Sequence, residues 1–467
     1  MTPRIFFTKL SVRLLTRGVR KCIIIYRKID RQTRHGDEIK MKLLNMTPAE
    51  KIAFYMTRLY DNKLTTTSGG NLSIMDDDGT LWISPSGIDK AHLTADDIMW
   101  VTPDGTVHGK HKPSTEYPFH LAVLRARPDL HAVLHAHPAA LVAYSLERRL
   151  PEMDLMPDVS ALCGKIAIAK YALPGSTKLG GYISSEFAGG CDTVLLENHG
   201  VVLGADSLER AYMMFEALDF AARTGVAASM LGKEGRVLTR SELDKKTYDP
   251  RSVGFSDTLI AACFPEIRAD IADKCRRSYK NKLFTAATGM FASRAGNGFL
   301  ITPEGEDRGL LTPEQLVYVD GTRCERGKTP SRYANIVRRI FKAHPEINSI
   351  CAARSPYIMG FAVTGAEFNS HMIPEGYICL RNTLRYPFGT LEDDPETIVS
   401  DISMRTPIVI IENDGVLVAG TSPLNAYDRL EVLEFGAESL CDIASMKGTI
   451  VPISEEEIKE IEVAFNL

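Results

Sequence analysis

The sequence has no long apolar run, no paired cysteines and no excess of positive charge, and each absence excludes a class of protein. No stretch approaches the roughly 20 apolar residues that a membrane-spanning helix needs, so no membrane partner is expected. The nine cysteines are scattered, without a CxxC pair, which favours reduced thiols and a cytoplasmic protein over a disulfide framework. The net charge of −4 gives no reason to expect nucleic-acid binding.

Positive charge is concentrated at the start of the chain. Residues 1–45 contain 12 Lys and Arg against 3 Asp and Glu. An Arg-rich segment with few acids can be a targeting peptide, but this one lacks the long apolar core of a secretory signal. We interpret residues 1–45 as a basic N-terminal extension. A targeting peptide and an upstream translation start, before Met41 or Met46, are the alternatives.

The remainder of the chain repeats itself, and each repeat is a whole domain long. SGGNLS at 68–73 is matched by ATGMFA at 287–292, and ENHG at 197–200 is matched by ENDG at 412–415. A period of about 215–219 residues is too long for a solenoid. Each copy mixes helical and alternating patterns. We therefore predict an α/β, three-layer α/β/α domain present twice in tandem, at residues 46–250 and 251–467.

The first copy contains a set of metal-ligand residues that the second copy lacks. His135 and His137 alternate along a predicted strand, so both side chains point to one face, about 7 Å apart. His199 follows another strand, and Glu116 opens the helix before the histidine strand. Three histidines and a carboxylate suit Zn²⁺, or a similar divalent metal such as Mn²⁺ or Co²⁺.

An HxH pair alone is a weak signal, but the second copy strengthens it. The positions equivalent to Glu116, His135, His137 and His199 hold Tyr333, Ala352, Arg354 and Asp414. All four change together while the surrounding framework persists. That pattern is expected if the four residues of the first copy form one metal site.

Three small polar loops in the first copy could hold a phosphate through backbone N–H groups and hydroxyls. Their residues are Gly70, Asn71, Ser86, Gly87, Ser114 and Thr115. Each loop alone is better interpreted as a turn, but Ser114 and Thr115 adjoin Glu116, which would place a bound phosphate near the metal. In the second copy Met290 replaces Asn71 and Glu304 replaces Ser86, and a glutamate would repel a phosphate.

Taken in order, SGGNLS, SPSG, KPSTE, HAVLHAHP and ENHGVVL resemble the class II aldolase/adducin family, and most closely the L-fuculose-phosphate and L-rhamnulose-phosphate aldolases. The first copy covers the whole family domain, and the second covers it in degenerate form. The resemblance implies that His135, His137 and His199 bind the metal and that Glu116 both binds the metal and acts as base. It also implies that the six loop residues contact the substrate phosphate.

The activity implied by the resemblance is that of a metal-dependent aldehyde-lyase. It would cleave a ketose 1-phosphate of the fuculose or rhamnulose type to dihydroxyacetone phosphate and a small aldehyde such as lactaldehyde. Epimerases of the family carry aspartate where this chain has Glu116, which favours aldol cleavage. Epimerase, dehydratase and decarboxylase activities on related sugar phosphates are the alternatives. A non-catalytic, adducin-like scaffold is another, although a scaffold has no use for three converging histidines.

A tyrosine from a neighbouring subunit is a further residue that the resemblance implies, because these aldolases form fourfold rings with sites at subunit contacts. Matching the sequences places Tyr171 of the first copy and Tyr386 of the second at that position. We predict a homo-oligomer in which two chains form a pseudo-fourfold ring of alternating copies. Tyr386 would then be the catalytic acid of the metal site and Tyr171 would face the site without metal, unless both tyrosines are packing residues.

Overall fold

The computed structural model describes residues 45–245, 255–260 and 263–467, and it contains one sheet in each copy. The strands of the first sheet are β1 (Asn71–Met75), β2 (Leu81–Ile83), β3 (Met99–Val101), β4 (Val107–His108), β5 (Ala132–Ala136), β6 (Ile166–Ala169), β7 (Thr193–Leu196) and β8 (Val201–Ala205). Those of the second are β9 (Ser256–Leu259), β10 (Met290–Ala295), β11 (Gly298–Ile301), β12 (Val317–Asp320), β13 (Arg323–Glu325), β14 (Ser349–Ala353), β15 (Thr383–Tyr386), β16 (Ile408–Ile411) and β17 (Gly415–Gly420).

The two sheets have the same topology. The first has the order β4-β3-β2-β1-β5-β8-β7-β6, and the second has the order β15-β16-β17-β14-β10-β11-β12-β13-β9. Read from opposite ends, each strand of the first sheet has a counterpart at the same place in the second, and β9 is an added edge strand. The predicted α/β fold, present twice in tandem, is confirmed.

Helices cover the two sheets. In the first copy they are α1 (Pro48–Asp61), α2 (Tyr117–Ala126), α3 (Ala139–Glu147), α4 (Pro157–Cys163), α5 (Thr177–Ala188), α6 (Leu208–Met230) and α7 (Arg240–Lys245). In the second they are α8 (Pro265–Lys280), α9 (Ala334–Ala343), α10 (Pro356–Thr364), α11 (Pro374–Leu380), α12 (Thr390–Asp393), α13 (Pro395–Asp401), α14 (Pro423–Ser445) and α15 (Glu455–Phe465). Within the described ranges, none of these helices combines the length and the apolarity that a membrane crossing requires.

The longest helix of each copy starts at the same local signal. Ser207 and Ser422 precede α6 and α14, and each serine side chain accepts a hydrogen bond from the backbone N–H three residues later. Such a cap satisfies one of the free donors at a helix N-terminus. Both helices are 23 residues long, so the repeat seen in the sequence extends to helix length and capping.

One apolar core runs through both copies. It includes Leu134 and Leu203 of the first sheet together with Phe291 and Val418 of the second, all fully buried. A separate core lies on the other face of each sheet, which gives each copy its three layers. Two of the predicted domain limits lie outside the described residues. They are the boundary at residue 250 and the basic extension, of which residues 1–44 are not described. The domain limits therefore stay predictions.

Candidate metal centre

The four residues predicted as metal ligands meet at one point of the first sheet. His135 lies on the central strand β5, and His137 follows one residue after that strand ends. The sequence predicted a strand through His137, but Pro138 precedes α3 and a proline cannot continue the ladder of hydrogen bonds. His199 lies in the turn between β7 and β8, and Glu116 is the residue immediately before α2.

The distances within this group suit a shared ion. Ligand nitrogens of His135, His137 and His199 all lie within 4.8 Å of one another. A carboxylate oxygen of Glu116 lies 3.4 Å from His135 Nε2, and the other lies 3.8 Å from His199 Nε2. Because bonds from zinc to imidazole nitrogen are about 2.0–2.1 Å long, an ion between these atoms would be within reach of all of them after small side-chain movements.

Several polar atoms of the group are buried without a hydrogen-bond partner among the residues that the structure describes. They are Glu116 Oε1, His135 Nε2, His137 Nε2 and His199 Nδ1. A buried polar atom without a partner is costly, and Glu116 Oε1, His135 Nε2 and His137 Nε2 together call for a ligand. The ring of His199 can offer the same ligand only one of its two nitrogens. The donor set of imidazole nitrogens and a carboxylate oxygen is the set that binds zinc and similar divalent ions, so the residues fit a metal.

The histidines are held in the state that binds metal. His135 Nδ1–H donates to the carbonyl of Val201 at 3.0 Å, which leaves the Nε2 lone pair facing Glu116. Burial lowers the pKa of His137 to about 4 and holds the pKa of His135 well below its usual value. Burial also lowers the pKa of His199. The imidazoles are therefore neutral at neutral pH, as metal ligands must be.

Two glycines allow the backbone to approach the histidines closely. Gly200 follows His199, and a Cβ at that position would lie 2.5 Å from His137 Cδ2. Gly70 has a φ of +72°, and a Cβ there would lie 2.8 Å from the carbonyl oxygen of His135. Any larger residue would push the histidine strand away from its neighbours, so both glycines are needed for the site to form.

Glu116 is held by a chain of buried hydrogen bonds. Asn71 Nδ2 donates to Glu116 Oε2 at 2.8 Å, so Asn71 Oδ1 must accept, and it does so from His120 Nε2–H at 2.5 Å. His120 Nδ1 then accepts from the hydroxyl of Ser73 at 2.7 Å. Burial lowers the pKa of His120 to about 3, which keeps the ring neutral, and the acceptor Asn71 Oδ1 places its one proton on Nε2. The chain fixes both the amide of Asn71 and the carboxylate of Glu116.

His120 and Ser73 were not predicted from the sequence, although two signals pointed to them. His120 lies four residues after Glu116, on the same side of α2, and Ser73 lies two residues after Asn71, on the same face of β1. The second copy lacks this chain of hydrogen bonds, as it lacks the predicted metal ligands. Met290, Ala292 and Val337 take the places of Asn71, Ser73 and His120, and all three belong to the apolar core.

We expect replacement of His120 by phenylalanine to lower kcat by roughly 10–100-fold while the metal stays bound. The ring volume is kept, but Asn71 loses the donor that fixes its amide, and residues that orient a ligand typically contribute effects of this size. Ser73→Ala removes the outermost partner alone and should have a smaller effect. Steady-state kinetics and metal content would be measured together. Wild-type kcat in H120F would show that the chain does not position Glu116.

The loops predicted to bind phosphate lie side by side, but they differ in exposure. An isolated bridge joins Pro85 to Pro113, and the N–H of Ser86 donates to the carbonyl of Lys112 at 2.9 Å. Gly87 and Thr115 are exposed, whereas Ser114 is buried and accepts from the N–H of Glu116 at 3.2 Å. These contacts bring two of the three loops together next to Glu116, and their role in phosphate binding stays a prediction.

Gly70, the last residue before β1, and Asn71, the first residue of that strand, are already engaged. Gly70 packs against the carbonyl oxygen of His135, and the side-chain amide of Asn71 is used on Glu116 and His120. Asn71 is also the direct cross-strand partner of His135. These residues therefore support the metal group in the described structure, and a contact with phosphate would require the amide of Asn71 to move.

In the second copy, ion pairs occupy the positions of the metal ligands. Arg354, in the place of His137, donates to Asp414, in the place of His199, at 2.6 Å. Arg332 also pairs with Asp414, and it donates to the hydroxyl of Tyr333 at 2.7 Å. Arg354 pairs in addition with Asp158, which belongs to the first copy. The buried charges therefore neutralise one another where the first copy holds its histidines.

The match between Tyr171 and Tyr386 is wrong by two residues. The N–H of Glu197 donates to the carbonyl of Ala169, and in the second copy the N–H of Glu412 donates to the carbonyl of Tyr386. Tyr386 therefore corresponds to Ala169, and the residue equivalent to Tyr171 is Phe388. The loop after this strand is two residues shorter in the second copy, so a correct alignment has a two-residue gap after the strand. Aligning the two tyrosines with each other had placed this gap before the strand.

The surroundings of the two tyrosines also differ. The side chain of Tyr171 is largely exposed, and its backbone N–H donates to Glu197. Tyr386 lies within β15, and its hydroxyl donates to Asp401 of the same copy at 2.5 Å. The proposed catalytic role of either hydroxyl stays a prediction.

Comparison with known protein families tests whether the chain is related to the family that its motifs resemble. A family model described as the class II aldolase and adducin N-terminal domain matches residues 50–226 and again residues 269–441. The chain belongs to this family. Both copies are members, including the copy without the histidines, so the repeat in this class II aldolase-family protein is a duplication of one family domain.

Several relatives of this class II aldolase-family protein have names of enzymes that act on phosphorylated substrates. The 5-deoxy-D-ribulose 1-phosphate aldolase of Bacillus thuringiensis is 31% identical over 200 residues, which are 42% of this chain and 91% of that protein. The L-fuculose phosphate aldolase of Methanocaldococcus jannaschii is 35% identical over 164 residues, 35% and 86% of the two chains. The 3-oxo-tetronate 4-phosphate decarboxylase of Pectobacterium atrosepticum is 34% identical over 162 residues, which are 34% of this chain and 74% of that protein.

Proposed function

We propose that the protein is a metal-dependent aldolase that cleaves a ketose 1-phosphate, of the fuculose or rhamnulose type, to dihydroxyacetone phosphate and a small aldehyde. The observation that carries the proposal is the convergence of Glu116 with three histidines whose buried polar atoms have no other partner among the described residues. Relatives named as aldolases of two ketose 1-phosphates support the same class of substrate.

The metal that suits this group is Zn²⁺, with Mn²⁺ or Co²⁺ as alternatives. His135, His137 and His199 would hold it, and Glu116 lies close enough to join them. When bound, the ion would supply a Lewis acid that stabilises the negative charge developing on the substrate oxygens during cleavage of the carbon–carbon bond.

Glu116 is the residue best placed to move a proton in this reaction. Cleavage leaves a carbanion-like charge on the fragment that carries the phosphate, and the carbon that was cleaved must then gain a proton. Glu116 can deliver that proton, and in the direction of synthesis it can remove it as a general base. The hydrogen bond from Asn71 to Oε2 leaves Oε1 free for this transfer.

A second proton must leave the hydroxyl of the aldehyde half as the bond breaks. We propose, as the family resemblance implies, that a tyrosine from a neighbouring chain carries this proton in a homo-oligomer, with Tyr386 and Tyr171 as the candidates. Because Tyr386 and Tyr171 do not occupy equivalent positions, the catalytic role of each tyrosine must be tested separately. Phenylalanine at either position is the test, because only loss of the catalytic hydroxyl would lower kcat without changing metal content.

The proposed function is tested by direct assay of ketose 1-phosphates with the metal-loaded protein. We expect dihydroxyacetone phosphate and an aldehyde to appear in equal amounts, and both to depend on the added divalent ion. Fuculose, rhamnulose and 5-deoxyribulose 1-phosphates form the first panel. If none is cleaved by protein that contains about one ion per chain, the aldolase proposal is wrong.

Decarboxylation is the second candidate, because one relative of similar identity is named as a decarboxylase. The same metal group can stabilise the charge left when carbon dioxide leaves a 3-oxo acid. Release of carbon dioxide from 3-oxo-tetronate 4-phosphate, without cleavage of any ketose 1-phosphate, would favour this function. We propose a cytoplasmic location for either activity.

A further inference from the structure

Lys90 of the first copy is a buried cation that no carboxylate neutralises. Its relative exposure is 2%, and its ammonium group donates to the carbonyl of Pro85 at 2.6 Å. An ammonium has three N–H donors, and this bond is the one that Lys90 makes with its side chain among the described residues. Burial lowers the pKa of Lys90 to about 8, with no contribution from a neighbouring charge. The side chain is therefore largely charged at neutral pH, and burying a charge without an opposite charge is costly.

The position of Lys90 joins two of the loops that were predicted to bind phosphate. Its backbone N–H donates to the carbonyl of Thr67 at 3.0 Å, just before the loop that leads to Gly70. Its ammonium group is held at Pro85, the residue before Ser86. The unpaired positive charge therefore lies beside the predicted phosphate site.

An unused backbone donor lies in the third of these loops. Thr115 is exposed, and its N–H donates to no atom in the part of the chain that the structure describes, whereas the N–H groups on either side of it are used. The bridge between Pro85 and Pro113 places this loop beside the acceptor of Lys90. A cation and a free N–H on adjoining loops are components of a site for an anion.

The second copy has a buried cation at the same place. Arg308 corresponds to Lys90, and its relative exposure is also 2%. The backbone confirms the correspondence, because the N–H of Arg308 donates to the carbonyl of Ala286 as the N–H of Lys90 donates to that of Thr67. The guanidinium of Arg308 donates to two backbone carbonyls at 2.7 Å. Both copies therefore hold a buried positive charge behind these loops.

In the second copy a glutamate supplies the anion that the first copy lacks. Glu304 stands in the place of Ser86, and its carboxylate accepts from the N–H of Arg332 at 3.3 Å. Arg332 corresponds to Thr115, so the carboxylate uses the N–H that is unused in the first copy. Burial raises the pKa of Glu304, and the positive charge of Arg308 opposes this shift. The carboxylate of Glu304 therefore interacts with both the backbone donor and the buried cation.

We propose that the substrate phosphate takes, in the first copy, the position that the carboxylate of Glu304 takes in the second, with Lys90 as its counter-charge and the N–H of Thr115 as a donor. The inference rests on the proposed function, because that function supplies the phosphate. Interactions between charges are strong where water is excluded, so Lys90 acts on the phosphate from its buried position. Binding of the phosphate offsets the cost of burying an unpaired ammonium group, which makes Lys90 a residue that serves binding at the expense of stability.

The role of Lys90 is tested by the binding of inorganic phosphate to the metal-loaded protein, measured by calorimetry. Lys90→Met keeps the length of the side chain and removes its charge. We expect the dissociation constant for phosphate to rise by roughly 10–100-fold, the range for loss of a charged hydrogen-bond partner. Because methionine is buried without the cost of a charge, K90M should melt no lower than the wild type in the absence of phosphate. A variant that melts lower but binds phosphate as the wild type does would show a structural role alone and overturn the proposal.

Two further variants serve as controls. Lys90→Arg introduces the cation that the second copy has at this place, so it should keep most of the affinity for phosphate. Lys165→Met removes a lysine that also donates to a backbone carbonyl, that of Gly189, but is exposed. It should leave the dissociation constant unchanged. If K165M weakened phosphate binding as much as K90M, the effect would be one of net charge, and the assignment of Lys90 would be wrong.

The comparison with the second copy is tested by removing its carboxylate. Glu304→Ser introduces the residue of the first copy and leaves Arg308 and the N–H of Arg332 without this anion. The variant should therefore bind about two phosphates per chain, against about one in the wild type. Glu304→Gln fills the same space without a charge and should not gain the second phosphate. A stoichiometry of one in E304S would overturn the equivalence between carboxylate and phosphate.

The outcomes separate this inference from the proposed function. Phosphate binding that depends on Lys90, in a protein that cleaves no ketose 1-phosphate, would overturn the proposed reaction and leave the counter-charge in place. Cleavage by the wild type and by K90M with the same KM would leave the reaction in place and remove Lys90 from the site. A variant with both His135 and His137 changed to alanine should still bind phosphate. Loss of binding in that variant would also overturn the inference, since the metal would then have held the phosphate.

Discussion

Changing His135 and His137 together to alanine is expected to remove the bound metal and to lower kcat/KM by more than about a thousand-fold. The two imidazoles supply buried nitrogens with no other partner among the described residues, so nothing else at the site can replace them. A Lewis acid contributes several kcal/mol to stabilising the transition state, and a loss of about 4 kcal/mol corresponds to three orders of magnitude in rate. Metal content by elemental analysis and turnover would be measured on the same samples.

His131 provides the matched control for this experiment. It lies just before the same strand, and its side chain is exposed. Its hydrogen bonds are made by the backbone, whose N–H donates to the carbonyl of Ala205 and whose carbonyl accepts from the N–H of Met75. His131→Ala should keep both metal and activity. If the double variant kept its metal, or if the wild type bound two ions per chain, the assignment of a single metal centre to the first copy would be wrong.

The sequence was sufficient to predict that the three histidines and Glu116 converge, because these residues are spaced by the geometry of single elements. Alternation along one strand predicts that His135 and His137 share a face, and a glycine after His199 predicts a turn close to the site. The comparison between copies added the information that these residues change together. The structure brings all three histidines and Glu116 to one point, as that pattern predicted.

Features that depend on contacts between elements could not be predicted in the same way. His120 looked like an ordinary helix residue, and only the pairing of β1 with β5 places Asn71 between His120 and Glu116. The shift of Tyr386 relative to Tyr171 has a similar origin, because a gap can be placed on either side of a short strand without changing the quality of a sequence match. The register of β15 with β16 fixes it.

The contact between the two copies also could not be predicted from the sequence, although the residues that form it can be read there. Nothing in the sequence around Asp158 indicates that its carboxylate pairs with Arg354 of the second copy. Once that contact is known, the substitutions in the second copy gain a physical reason. Arginine and aspartate at the positions of the predicted ligands His137 and His199 provide buried ion pairs, and removing one member of such a pair typically costs about 3–5 kcal/mol. The second copy therefore has a buried junction with the first copy at the positions that correspond to the predicted metal ligands.

Replacing Glu116 with glutamine is expected to lower kcat by roughly 10²–10⁴-fold, the range typical for loss of a general base, while the metal stays bound through the three histidines. Glutamine keeps the size of the side chain, and its carbonyl oxygen can still accept from Asn71, so the site should keep its shape. The proton step can be followed alone, because a working base exchanges a hydrogen of dihydroxyacetone phosphate for deuterium in heavy water. E116Q should lose this exchange in proportion to kcat.

Glu147→Gln is the control for that experiment, because Glu147 is an exposed carboxylate of the same copy. It should leave exchange and turnover unchanged. Retention of exchange by E116Q, with kcat lowered, would assign the proton transfer to another residue and leave Glu116 with a role in metal binding alone. Loss of the metal from E116Q would have the opposite meaning, since the three histidines would then be insufficient to hold the ion, and Glu116 would have to be a ligand throughout.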